Sequence, residues 1–110
     1  MSYKPIYEKA RELLTDRDHW GKFYLFQDED GEKIHPDDPN EIKSAHCMCI
    51  LGALYIAKNN QPQDVLINLV ALDLQRFLPP QYTFMVEFND FSNTCHEDVL
   101  ALLDRAIKGT

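Results

Sequence analysis

Ala45-His46-Cys47-Met48-Cys49-Ile50-Leu51-Gly52-Ala53-Leu54-Tyr55-Ile56-Ala57 carries no charged residue from Cys47 to Ala57. A helix with that composition is apolar on every side, and such a helix belongs inside a core. Its start is legible upstream. Asp38 suits an N-cap, Pro39 the first helical position, and Glu41 a reach back to the cap. Asn59-Asn60 followed by Gln61-Pro62 ends it, so the spacing predicts one central helix over 39–59. Gly52 and Ala53 are small enough there for another backbone to come close.

The flanking segments have their own periods. Ile6, Ala10, Leu13 and Leu14 fall at helical spacing among Glu8, Lys9, Arg11 and Glu12, which predicts a helix over 3–15 capped by Ser2. Phe23-Tyr24-Leu25-Phe26 is strand-like, Asp30-Gly31 supplies a turn, and Lys33-Ile34-His35 returns, which predicts a β-hairpin over 22–35. A helix over 63–78 follows, its apolar face drawn from Val65, Leu66, Leu69, Val70, Leu72, Phe77 and Leu78 and its end set by Pro79-Pro80. Tyr82, Phe84, Val86 and Phe88 alternate as a strand does. Thr94 with Glu97 predicts the cap of a last helix that turns Val99, Leu102, Leu103, Ala106 and Ile107 inward. The expected fold is α+β and mostly α, with about four helices packed around the central apolar helix and a short β-hairpin.

The chain has 110 residues, 45% of them hydrophobic and 26% charged, which suits a single globular domain over 1–110. No apolar run approaches the ~20 residues of a bilayer span, and no signal core follows Met1, so no membrane association and a cytoplasmic location are expected. Three cysteines, two of them in the apolar stretch, suit free thiols in a reducing compartment. The formal charge of -7 argues against direct nucleic-acid binding, which needs clustered Lys and Arg.

Two groups of residues form a recognisable pattern. One is Cys49-Ile50-Leu51-Gly52-Ala53-Leu54; the other is Asn89-Asp90, then His96, then the helix Val99 to Ile107. With Ala10-Arg11-Glu12-Leu13-Leu14 and His19-Trp20, they resemble a family of small bacterial and bacteriophage proteins that is a domain of unknown function. The family pattern looks like Trp-Cys-Ala-Leu-Gly-Ala-Leu, then Trp-Asn-Asp, then Thr-His. Met48 and Phe88 stand where its tryptophans would be, and Cys95 where its threonine would be. Cys49, Asn89, Asp90 and His96 match. The resemblance implies a fold and a provenance, and no activity.

Cys49, Asp90 and His96 have the residue types of a nucleophile, an orienting acid and a base. A thiol needs a histidine or a helix N-terminus to lower its pKa. In a helix starting at Pro39, Cys49 lies about three turns in, too far for the dipole to act. Its neighbours Met48 and Ile50 describe a core thiol, and His96 suits a bond to the Asn89-Asp90 loop. No metal is expected among His46, Cys47, Cys49, Cys95 and His96, since Cys47 and Cys49 diverge by about 200° on a helix. No cofactor is expected either. The acidic turn Asp28-Glu29-Asp30-Gly31-Glu32 lacks the first ligand of a calcium loop. Seven acids between Asp28 and Glu41 face one Lys33. That run, with the aromatics before it, suits a basic protein partner. The leading expectation is a non-catalytic small cytosolic accessory protein, of phage or mobile-element type, binding a macromolecular partner through Trp20, Tyr24, Asp28, Asp30, Asp37 and Asp38. The alternative is a cysteine-dependent hydrolase or transferase using Cys49 and His96. Neither the partner nor the oligomeric state is readable from the residues.

Overall fold

The computed structural model describes residues 3–34, 42–61 and 65–110, and the uncharged stretch divides in two. Cys47–Met48 form a strand, and a helix runs only from Ile50 to Asn59. Cys49 joins them in extended backbone, at φ -79° and ψ 174°. This corrects the single helix over 39–59. An unbroken apolar run has no period that separates a buried strand from a buried helix. Asp38, Pro39 and Glu41, expected to start that helix, lie outside the described residues, as do Asp37, Ser2, His35 and Pro62.

Named in chain order, the elements are α1 (Lys4–Leu13), a 3-10 turn (Arg17–His19), β1 (Phe26–Gln27), β2 (Cys47–Met48), α2 (Ile50–Asn59), α3 (Ile67–Gln75), α4 (Met85–Asp90) and α5 (His96–Gly109). The fold is α+β and mostly α. Strands β1 and β2 pair antiparallel, Phe26 opposite Met48 and Gln27 opposite Cys47. Among the described residues, the expected return limb after Gly31 pairs with β1 at a bridge between Gln27 and Lys33. Its turn is built as the sequence suggests: Asp28 Oδ1 accepts from the backbone N–H of Asp30 and Glu32 at 2.9 Å each, and Gly31 takes φ +82°.

Helix α2 is central, in contact with α1, α3, α4 and β2. None of residues 50–57 is exposed, as an uncharged helical stretch requires. Helix α1 lies against α2 and α5, burying Ile6, Tyr7 and Ala10, and α5 buries Val99, Leu102, Leu103 and Ala106. The Tyr7 hydroxyl donates to the Asp73 carboxylate and so ties α1 to α3. The Cα radius of gyration, 13.0 Å, is that of one compact body of this length. No described helix is long and apolar enough to cross a membrane.

Three further expectations are corrected. The alternation Tyr82 to Phe88 belongs to an extended entrance and the short helix α4. On α3 the core face is Val70 and Leu74, while Leu66, Leu69 and Leu72 are exposed. The cap of α5 is Cys95, whose N–H donates to Asp98 Oδ2 at 2.9 Å, and Thr94 is buried just before it.

Candidate functional site

Helix α2 begins with no capping side chain of its own, because Cys49 makes no cap hydrogen bond. Its first N–H needs an acceptor. Asn89, on α4 and 39 positions away, provides one: Ile50 N–H donates to Asn89 Oδ1 at 3.0 Å. The same oxygen accepts from Trp20 Nε1 at 2.8 Å. On its other side, Asn89 Nδ2 donates to the Gly21 carbonyl at 3.1 Å and to Asp90 Oδ1 at 2.9 Å. Asn89 is buried, and each donor and acceptor of its amide is used. The Asn89-Asp90 pair thus fastens the loop 20–23 to the start of the central helix.

Asp90 completes the fastening. Its Oδ1 accepts from Phe23 N–H at 2.8 Å. Phe23 sits at φ +75°, the one non-glycine in the left-handed region among the described residues, and its side chain is 72% exposed. That conformation costs roughly 1–2 kcal/mol for a residue with a Cβ. A carboxylate accepting a backbone N–H offsets such a cost. The network holds a strained loop that points an aromatic ring at solvent.

Around that loop the surface is apolar. A cleft of about 150 Å³ is lined by Phe23, Tyr24, Leu51, Val86, Cys49 and Asp90 among others. A wider depression of about 390 Å³ is lined by Leu51, Val86, Leu72 and Phe84 among others. Leu51 and Val86 belong to both walls, so the two form one continuous strip. Phe84, Leu72 and Val86 are all exposed.

Cys49 and Asp90 meet in the smaller cleft, and His96 does not join them there. The position of Cys49 is not the one expected from sequence, since it stands at the N-terminus of α2 and not three turns in. Even so, burial pushes its thiol up; the N–H groups of Gly52 and Leu51 pull it down, and the Asp90 carboxylate pushes it up again. His96 Nε2 lies 2.5 Å from the Leu14 carbonyl. A carbonyl only accepts, so Nε2 carries the proton, and the ring ties the start of α5 to the residue that ends α1. The bond expected from His96 to the Asn89-Asp90 loop is replaced by this one to Leu14.

The remaining described candidates lie between α1 and β2. Trp20 is half-buried, bridged to Met48 and bonded to Asn89, so its ring is an anchor. Tyr24 is exposed beside Phe23, with Lys33 Nζ 6.0 Å from its ring centre. Asp28 is occupied in its turn, Asp30 is exposed, and Asp37 and Asp38 lie outside the described residues. Sequence reading missed Phe23 as an exposed residue and missed Leu72, Phe84 and Val86 altogether as surface. The signal present was an aromatic two places after Gly21, in a segment too short in β-branched residues to be a firm strand.

The model of a Family of unknown function (DUF6197) matches residues 2–109. The chain belongs to this family. Among curated proteins and solved structures nothing matches it. In this DUF6197 member Cys49, Asn89 and Asp90 all stand at the junction of loop 20–23, α2 and α4.

The state of Cys49 is directly measurable. Its folded pKa is raised, so its contribution to stability is fully present below the unfolded value of 9.0 and is lost as pH rises through the folded value. Urea midpoints should hold level from about pH 7 to 8 and fall above about pH 9, and Cys49→Ala should flatten part of that fall. Native alkylation should label exposed Cys95 first and leave Cys49 unlabelled until urea unfolds the chain.

Proposed function

We propose that this chain is a non-catalytic accessory protein that docks a basic protein partner on the strip running from Phe23 and Tyr24 over Val86 to Phe84 and Leu72. One observation carries the reading: Phe23 is held in a strained backbone by Asp90 with its ring in water. Strain maintained at an exposed aromatic marks a site of use, because nothing in the core gains from it. Buried aromatic anchors dominate protein interfaces, and Phe23 is a ready-made one. The charge supports the sign of the partner. Asp90 lines the strip, Glu87 follows Val86, and the acidic turn 28–32 lies beside Tyr24 through Lys33, in a chain of net charge -7. The occupant that fits is an amphipathic segment with an apolar face and Lys or Arg at its edges. A cytosolic setting and a phage or mobile-element provenance are part of this proposal. The free state of all three cysteines and the motif resemblance support them.

The test separates display from folding. A photo-crosslinking residue at Phe84 should trap one discrete heteromeric adduct in the cell that makes the protein. Phe23→Gly relieves the backbone strain, so stability should hold or rise by up to about 1 kcal/mol. Affinity for the trapped protein should fall by about tenfold or more, and rising salt should weaken the native complex. Adducts of the chain with itself alone, or full binding by Phe23→Gly, would sink the proposal.

A second reading has one observation in its favour: Cys49 stands at a helix N-terminus with Asp90 in the same cleft. A cysteine-dependent hydrolase or transferase needs a base there as well, and His96 is bonded to Leu14. Fast native alkylation of Cys49 near neutral pH would turn the argument toward it.

A further inference from the structure

On the opposite side of α4 from the Phe23 cleft wall, α5 presents a stripe to a second cleft. Asp98, Ala101 and Arg105 fall at i, i+3 and i+7, which places them on one face of the helix. Ala101, between the two charges, leaves the floor open. The facing wall is aromatic: the Tyr82 ring meets the Phe88 and Phe91 rings edge-on at centroid distances of 5.2 and 5.7 Å. The cleft's volume is about 370 Å³, within the range of small-ligand sites.

Thr94 adds a hydroxyl-bearing side chain to that wall. Thr94 is only 5% exposed and lines the cleft. Its N–H donates to the Phe91 carbonyl at 3.0 Å. Arg105 gives Nε and Nη2 to the Phe77 carbonyl at 3.2 Å each, which fixes the guanidinium at the cleft edge and keeps other donors available. Asp98 uses Oδ2 on the Cys95 cap, which leaves Oδ1 for a cation.

We infer that this cleft binds a short zwitterionic peptide, of dipeptide size, with an aromatic side chain. Asp98 and Arg105 cancel in charge, so the wall favours a dipolar ligand over a net anion or cation. The two residues stand ~10 Å apart along the helix at 1.5 Å per residue, and an extended dipeptide spans ~7 Å between its ends. Side-chain reach covers the difference. The ammonium faces Asp98 and the Thr94 hydroxyl, the carboxylate faces Arg105, and the ring packs edge-on against Tyr82, Phe88 and Phe91. Nothing here depends on the partner strip, which lies on other residues.

Titration of the isotopically labelled chain with phenylalanylalanine, followed by amide chemical shifts, tests this. Saturable shifts should centre on Asn93, Thr94, Asp98 and Ala101. N-acetylated and C-amidated forms of the same dipeptide should each bind about tenfold more weakly or worse, since each removes one charge-assisted contact. Ala101→Leu fills the floor from an exposed helix position and should abolish the shifts while leaving the rest of the spectrum unchanged. No saturable shift up to about 10 mM, the weak end of measurable affinity, overturns the inference. Equal binding of the blocked forms overturns it too, and that comparison uses the native chain alone.

Discussion

Asn89→Ala should destabilise the chain by about 3–5 kcal/mol, because it leaves two buried donors unbonded at once, each at about 1–3 kcal/mol, and frees a carbonyl. The donors are Trp20 Nε1 and Ile50 N–H; the carbonyl is that of Gly21. For a domain of this size that is a large share of the roughly 5–15 kcal/mol available, and the midpoint should drop by on the order of 15–30 °C. Trp20 emission should report the loss before global unfolding, since its indole N–H has no other partner in the network. Asn89→Asp makes the argument sharper. It keeps an acceptor for Trp20 and Ile50 but places a second carboxylate against Asp90 Oδ1. Its folded pKa should therefore lie above the unfolded value of ~3.9. Stability from that group is then present at low pH and lost as pH rises through the folded pKa. So Asn89→Asp should be more stable at about pH 4.5 than at pH 7.5, opposite in sign to an ordinary surface carboxylate. Urea titrations at the two pH values decide it; equal midpoints would mean that Asn89 is not the buried hub described.

The same residue explains what could be read from the sequence and what could not. Helices α1 and α5 are legible because Ile6, Ala10, Val99, Leu102 and Ala106 repeat at helical spacing with charges between them. The central position of α2 is legible because it has no charge to turn outward before Lys58 in its last turn. Its start is not, because the cap is Asn89, distant in sequence, and no local pattern announces a cap that arrives from another helix. Cys47-Met48 reads as helix for the same reason: an apolar strand joined to an apolar helix has no seam. Leu72 reads as part of a helix's apolar face and Phe84 and Val86 as strand alternation, and an apolar stripe used at a surface has the composition of one used in a core. Of the candidate set, Cys49 and Asp90 do share a cleft, and residue type suggested it. Phe23 escaped because its role lies in a backbone angle, which no side-chain pattern encodes.

Gly52→Ala should destabilise the chain although it improves a helix. Within an exposed helix the exchange gains roughly 0.5–1 kcal/mol in backbone entropy. Here an added Cβ would stand 2.3 Å from the Leu25 carbonyl oxygen and 3.2 Å from Met48 Cβ. The first contact is with backbone, so no rotamer change relieves it. Either α2 shifts from the 25–27 segment or that segment shifts from α2. The Leu25 oxygen also accepts Cys49 N–H at 3.2 Å, so moving it breaks the bond that leads the chain into α2. Overpacking of this kind costs about 1–3 kcal/mol, enough to reverse the helix gain. The displaced segment is continuous with Phe23, so the exchange should also loosen the Phe23–Asp90 bond and weaken partner binding. Gly52→Ala and Asn89→Ala act on one junction from two sides. Once either has released the start of α2, the other has less left to break. The double variant should therefore lose less stability than the sum of the singles, by about 1 kcal/mol or more. Strict additivity would show that the glycine contact and the asparagine network hold separate parts of the fold. A smaller loss would show that one junction, built by Gly52, Leu25 and Asn89, sets the position of the loop that displays Phe23.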